Sequence, residues 1–203
     1  MADDLRYQDS LWPKTDAKEI VFTEIADNSS VLDLGCWTGR LGEKLKKEKG
    51  CYVAGVDIDK TALKIAAGRL DFVCAADLDF SKVLKKKIIR KFDYIVLTDV
   101  LEHLKNPEEL LVTAKKFLTK DGLLIASVPN VANWSVRLPL LFGRFDYEET
   151  GILDKTHLRF FTQKTARKMF ENSGYTIEKI KFSGTTIFPT LKAVQFIFFC
   201  RVK

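Results

Sequence analysis

The sequence predicts an α/β domain on an open, doubly wound, mostly parallel sheet. Three observations carry that expectation. The first is Val31-Leu32-Asp33-Leu34-Gly35-Cys36-Trp37-Thr38-Gly39-Arg40-Leu41-Gly42, which reads as a short buried strand, a glycine turn and the start of a helix. The second is Tyr52-Val53-Ala54-Gly55-Val56-Asp57, a second strand closing on an acid about twenty residues past the glycines. The third is the continued alternation of short apolar runs with helix-like stretches.

The strand–turn–helix brings bare backbone N–H groups close to a ligand. The spacing is G-x-x-x-G-x-x-G, not the G-x-G-x-x-G of dinucleotide enzymes. Asp33 stands two residues before the first glycine, so it repels a pyrophosphate and welcomes a sulfonium or ammonium. The stretch resembles motif I of the class I S-adenosylmethionine-dependent methyltransferases, D-x-G-x-G-x-G, with Trp37 at the middle glycine's place. The resemblance implies a seven-stranded Rossmann-like sheet whose last strand is antiparallel. It also implies S-adenosyl-L-methionine as cofactor, with S-adenosyl-L-homocysteine as product.

The rest of the chain follows in order. Asp16 to Ala26 reads as a helix, within an N-terminal segment 1–29 that also holds Tyr7 and Trp12, placed to pack that helix or to cover a ligand. Asp57 is expected to take both ribose hydroxyls, because a carboxylate accepts from two donors at once. Asp59 is expected to cap the helix Lys60 to Ala67, and Ile58 to lie on the adenine face. Phe72 to Asp77 reads as the third strand and Phe80 to Ile89 as helix. In the methyltransferase pattern the acid after the third strand takes the adenine amino group, which assigns Asp77, with the Leu78 backbone beside it.

Lys91 to Leu97 reads as a fourth buried strand with an abrupt polar stop, Thr98-Asp99-Val100-Leu101-Glu102-His103-Leu104. This resembles motif IV of small-molecule class I methyltransferases. The cofactor set predicted is thus Asp33, Gly35, Cys36, Trp37, Gly39, Asp57, Ile58, Asp77, Leu78 and Thr98. Pro107 opens a helix to about Phe117, Asp121-Gly122 turns the chain, and Leu123 to Pro129 is the fifth strand.

Residues 130–161 lack a simple rhythm and read as a lid or substrate insertion. Thr162 caps the next helix, Gly174 ends it, and Tyr175 to Phe182 and Ala193 to Val202 are the final strands.

Methyl transfer asks the protein mainly to align acceptor, methyl carbon and sulfur and to exclude water, with a base where the acceptor is a neutral hydroxyl or amine. The only histidines are His103, just past the fourth strand, and His157, in the lid, and both are the catalytic candidates. Trp134, Arg159 and Asn130 are the candidates for contacting the acceptor. Arg159 has a structural alternative, an ion pair with Asp154 or Glu148; Trp134 has core packing. No metal-ligand spacing is read. The stretches Val128 to Ser135 and Gly151 to Thr162 are similar to a bacterial subgroup associated with cell-surface glycan or lipid synthesis, which implies a sugar or lipid-linked hydroxyl as acceptor.

Composition sets bounds. Two hundred and three residues, read as one domain 1–203, allow a sizeable core. The net charge of +6 is mild, and the lysine runs look like solvated helix faces, so nucleic acid is not the expected partner. Cys36, Cys51, Cys74 and Cys200 show no C-x-x-C spacing and read as reduced thiols of a cytoplasmic protein. No signal peptide or membrane span is read; the apolar run Leu138 to Phe142 leaves a peripheral membrane contact open. Two rivals stand beside the methyltransferase: a nicotinamide-dependent dehydrogenase, disfavoured by the missing fingerprint, and a non-catalytic nucleoside-binding module of the same fold.

Overall fold

The computed structural model describes residues 12–184 and 187–203. Tyr7 lies outside the described residues. Seven strands form one sheet: β1 (Ser30–Leu34), β2 (Tyr52–Asp57), β3 (Phe72–Ala75), β4 (Phe92–Leu97), β5 (Leu118–Pro129), β6 (Tyr175–Phe182) and β7 (Gln195–Val202), in the order β3-β2-β1-β4-β5-β7-β6. The first five pair in parallel, and β7 runs antiparallel to both β5 and β6. This is the doubly wound α/β sheet the sequence predicts, with its antiparallel last strand. Strand order reverses between β1 and β4, and the carboxyl ends of these two strands open the crevice where such sheets bind ligands.

Side chains alternate across the sheet and build two cores. Val31, Val53, Val96, Ile125, Ile197 and Phe199 face one side with Val21 of α1 (Ala17–Glu24) and Leu41 and Leu45 of α2 (Arg40–Lys49). Leu32, Leu34, Val56, Ile95, Leu97, Phe196 and Phe198 face the other. Leu110 and Leu111 of α5 (Pro107–Ala114) and Phe170 of α7 (Gln163–Asn172) cover that side. Sheets buried on both faces read as near-continuous apolar runs, which is how these strands appear in the sequence.

The caps form as expected. Asp59 accepts from Thr61 N at 2.7 Å and Ala62 N at 3.1 Å at the start of α3 (Lys60–Ala66). Thr162 and Thr165 make a capping box on α7, and Gly174 follows its end with φ +81°.

Several boundaries differ from the sequence reading. β3 stops at Ala75, and the helix expected from Phe80 is a 3-10 stretch, Leu78–Val83, running into one turn, α4 (Leu84–Lys87). Asp77 causes this: its carboxylate accepts from Asp79 N at 2.9 Å and starts the turn early. β5 begins at Leu118, and Asp121-Gly122 lies in a bulge between the pairs Phe92–Leu118 and Tyr94–Leu123. The insertion carries a helix, α6 (Trp134–Leu141), capped by Asn133. Its apolar residues point outward as well as inward, which erased the helical rhythm. The short α8 (Pro189–Lys192) precedes β7.

Candidate active site

The turn after β1 is made by left-handed backbone at Gly35 (φ +82°), Trp37 (φ +46°) and Gly39 (φ +76°). A Cβ on Gly35 would meet Val100 Cγ2 at 2.4 Å, so nothing larger fits there. Trp37 takes the left-handed region without glycine, at a cost of about 1 kcal/mol. Its N–H donates to Asp57 Oδ2 at 2.7 Å, which pins the turn to the tip of β2. Asp57 Oδ1 accepts from Asp59 N at 2.9 Å. Each Asp57 oxygen therefore keeps one lone pair for a further donor.

Two cavities border this turn and a third lies beyond them, and Asp99 lines all three. The first, ≈ 340 Å³, is lined by Trp12, Lys18, Asp33, Gly35, Cys36, Trp37, Thr38, Arg40, Leu41, Thr98 and Asp99. Asp33 is 4% exposed and its Oδ1 has no hydrogen-bond partner. Burial raises its carboxyl to about 7, with Lys18 opposing and Asp57 adding to the rise. A buried carboxyl with an unpartnered oxygen in the lining of a cavity fits a cationic ligand group. The second cavity, ≈ 410 Å³, is lined by Gly35, Trp37, Asp57, Ile58, Asp77, Leu78, Asp79, Asp99, Val100, His103 and Leu104. Acids at its rim and exposed Ile58 beside it suit a ribose and a flat base.

Nine of the ten residues predicted for the cofactor thus border these two spaces; Gly39 instead starts α2. The Cys36 sulfur is buried over Gly55, where a Cβ would lie 2.6 Å away, and burial pushes the thiol pKa well up.

The third cavity, ≈ 240 Å³, lies between the end of β4 and the lid, against Asp99, Glu102, His103, Pro129, Gly151, Ile152, Asp154, His157, Val194 and Gln195. His103 and His157, the two catalytic candidates, meet here with ring centroids 4.8 Å apart. His103 Nδ1 lies 3.3 Å from Thr156 O and 3.2 Å from Thr156 Oγ1; His157 Nδ1 lies 3.1 Å from Ile152 O. Desolvation lowers the His157 pKa, opposed by the Ile152 carbonyl. Glu102 is 1% exposed, and neither carboxylate oxygen has a partner. Burial drives its pKa well above the ordinary value, and Asp99 adds to the rise.

Three residues expected at the acceptor are placed elsewhere. Asn130 is fully buried, and its amide is engaged by Ala193 O at 2.9 Å, Thr190 O at 3.3 Å and Ala132 N at 3.0 Å. It ties the insertion to the approach of β7. Arg159 pairs with neither Asp154 nor Glu148. Its guanidinium donates to the Lys105 carbonyl and its backbone N–H to Glu102 O at 3.0 Å, so it fastens the insertion to the segment after β4. Trp134 is 54% exposed at the start of α6, so it is not core, and it lines none of the three cavities.

Asp99, Glu102 and Gln195 were not singled out from the sequence. Asp99 sits at φ +57°, with Gln195 Nε2 at 2.6 Å and Ser127 Oγ at 3.3 Å from its Oδ1, and Lys18 Nζ at 3.5 Å from its Oδ2. Two acids after the fourth strand were the available signal; nothing local marks Gln195.

A family profile described as "Methyltransferase domain" matches residues 10–180. The chain belongs to that family. This methyltransferase domain is 35% identical over 107 residues to the ubiquinone biosynthesis O-methyltransferase of Glaesserella parasuis serovar 5, covering 49% of this chain and 45% of that protein. It is 30% identical over 105 residues to the (S)-tetrahydroprotoberberine N-methyltransferase of Eschscholzia californica, covering 50% of this chain and 30% of that protein. The chain spans less than half the length of these curated relatives. Its fold matches a SAM-dependent methyltransferase from Archaeoglobus fulgidus with a TM-score of 0.66 at 18% identity, over 97% of this chain and 96% of that one. Class I fold, methyltransferase family and S-adenosylmethionine as the family's cofactor agree with the motif resemblance. Among the described residues, no helix is long and apolar enough to cross a membrane.

Proposed function

We propose that the chain transfers a methyl group from S-adenosylmethionine to a hydroxyl oxygen of a small, partly apolar acceptor, a ring compound before a sugar or lipid. The observation that carries this reading is the junction at Asp99, where the cofactor cavities meet a third cavity holding Glu102, His103 and His157.

Asp33 and the turn from Gly35 are assigned the methionyl end, Asp57 the ribose, and Ile58, Asp77 and Leu78 the adenine. Bound S-adenosylmethionine supplies an electrophilic methyl carbon on a positively charged sulfur. The acceptor oxygen forms its bond to that carbon as the carbon–sulfur bond breaks, and the electron pair returns to sulfur. A neutral hydroxyl must lose its proton, and Glu102, His103 and His157 are the groups beside which it is lost. A carboxylate acceptor would need none of them. The first named relative, an O-methyltransferase of ubiquinone biosynthesis, supports oxygen as the acceptor atom; the second is an N-methyltransferase. Exposed Leu138, Leu141 and Phe142 on α6 and just after it support an apolar acceptor or a membrane surface near the lid.

Titration with S-adenosylhomocysteine and with NADH, followed by labelled methyl transfer to phenolic, catecholic and sugar acceptors, tests the reading. Binding of the first nucleoside alone, with label on a ring hydroxyl, is expected. Binding of NADH alone makes the chain a dehydrogenase; binding of neither makes it a non-catalytic module.

A further inference from the structure

We infer that Glu102, His103 and His157 bind one divalent transition-metal cation of the zinc or manganese class, shared between body and lid. One ligand atom from each residue lies within 4.8 Å of the others. Ligands about 2.0–2.2 Å from a common ion stand about 3–4 Å apart, so a small inward adjustment completes the set.

Three observations point to a ligand and not to a packed polar cluster. The Glu102 carboxylate is buried and both of its oxygens lack a partner, an arrangement that is costly unless something else binds there. Arg159 does not neutralise it, because that guanidinium goes to the Lys105 carbonyl. Each histidine holds Nδ1 against a backbone carbonyl, Thr156 or Ile152. A carbonyl can only accept, and the Thr156 hydroxyl near His103 gives its own proton to Asp154 Oδ1 at 2.6 Å, so Nδ1 carries the proton and the Nε2 lone pair is left free. This is the orientation that outer hydrogen bonds give to metal-ligating imidazoles.

Two imidazoles and one carboxylate suit zinc, manganese or ferrous iron better than the all-oxygen preferences of magnesium and calcium. Three protein ligands leave a coordination position open toward the third cavity. An acceptor hydroxyl placed there would have its proton affinity lowered by the cation and would release that proton to water before accepting the methyl group. This role for the cation rests on the proposed O-methylation; the site itself does not. Because His157 comes from the lid and Glu102 and His103 from the body, binding would also hold the lid shut.

The test uses the full chain, stripped with a chelator and titrated by calorimetry with Zn²⁺, Mn²⁺ and Mg²⁺. The Co²⁺ form adds an absorption spectrum that reports imidazole ligation. One equivalent of zinc or manganese is expected, with Mg²⁺ weaker. Glu102→Gln and His157→Gln should each weaken zinc or manganese at least tenfold while S-adenosylhomocysteine still binds, which shows that the variants fold. Failure of the stripped chain to bind either ion overturns the inference, as does affinity unchanged in both variants. If the ion binds through these residues and no hydroxyl acceptor is methylated, the site stands and the acceptor reading falls. If methylation survives complete stripping, the cation's catalytic role falls.

Discussion

His103 and His157 meet edge to face, their ring planes 66° apart, although one follows β4 and the other belongs to the lid. The contact joins two distant parts of the chain at the wall of the third cavity. His103 also lines the second cavity beside Gly35 and Trp37, whereas His157 lines the third alone, so His157 is the ring held away from the turn.

His157→Ala should therefore lower turnover about a hundredfold or more while S-adenosylhomocysteine affinity stays within about twofold. Steady-state rates beside calorimetry separate the two. A large loss of cofactor affinity would make the lid histidine a folding or cofactor residue.

Asp57→Ala should weaken cofactor binding by about 1.5–3 kcal/mol, the scale of hydrogen bonds to a charged group. The same carboxylate holds Trp37 N and Asp59 N, so part of the loss comes from the turn itself. Asp57→Asn, which keeps one acceptor oxygen, should fall between. Unchanged affinity in both removes Asp57 from the ribose role.

Asp33 gives a pH dependence with a definite sign. Burial raises its carboxyl from 3.8 to about 7 in the folded chain. Between those values the unfolded chain releases the proton and the folded chain keeps it, so folding stability falls as pH rises through that window and levels off above it. The loss is at most about 4 kcal/mol for three pKa units. Ligand-free Asp33→Asn should lose this slope and become the more stable protein at pH 8, read by urea unfolding at pH 5 and 8. Cofactor affinity moves the opposite way: a cationic ligand favours the ionised carboxylate, so wild-type affinity should drop as pH falls below about 7 and the variant's should not.

Gly35→Ala should destabilise the fold by about 2–4 kcal/mol, the sum of a left-handed backbone and overpacking against Val100. Adding Val100→Ala should recover the packing part and leave the backbone part. Denaturant midpoints of the two single variants and the double variant measure the division.

The residues around β1 and β2 were legible because their signals are short-range. A left-handed turn demands glycine, a helix start demands Asp59 or Thr162, and an acid at a strand tip needs only the strand before it. Even Trp37 announced itself as the departure it is. The apolar runs likewise specified strands buried on both faces and hence an open sheet covered by helices.

What the insertion residues touch depends on where the chain returns. Asn130 looked like an acceptor contact until the approach to β7 brought the Ala193 carbonyl to its amide. Arg159 looked like half of an ion pair until the segment after β4 offered the Lys105 carbonyl. Glu102 stood in the acid-bearing stretch after β4, but nothing local said that it would be buried. Its burial beside His103 and His157 arises from long-range closure of an insertion without periodicity, and contacts of that kind depend on the assembled sheet, not on the spacing of neighbours in the chain.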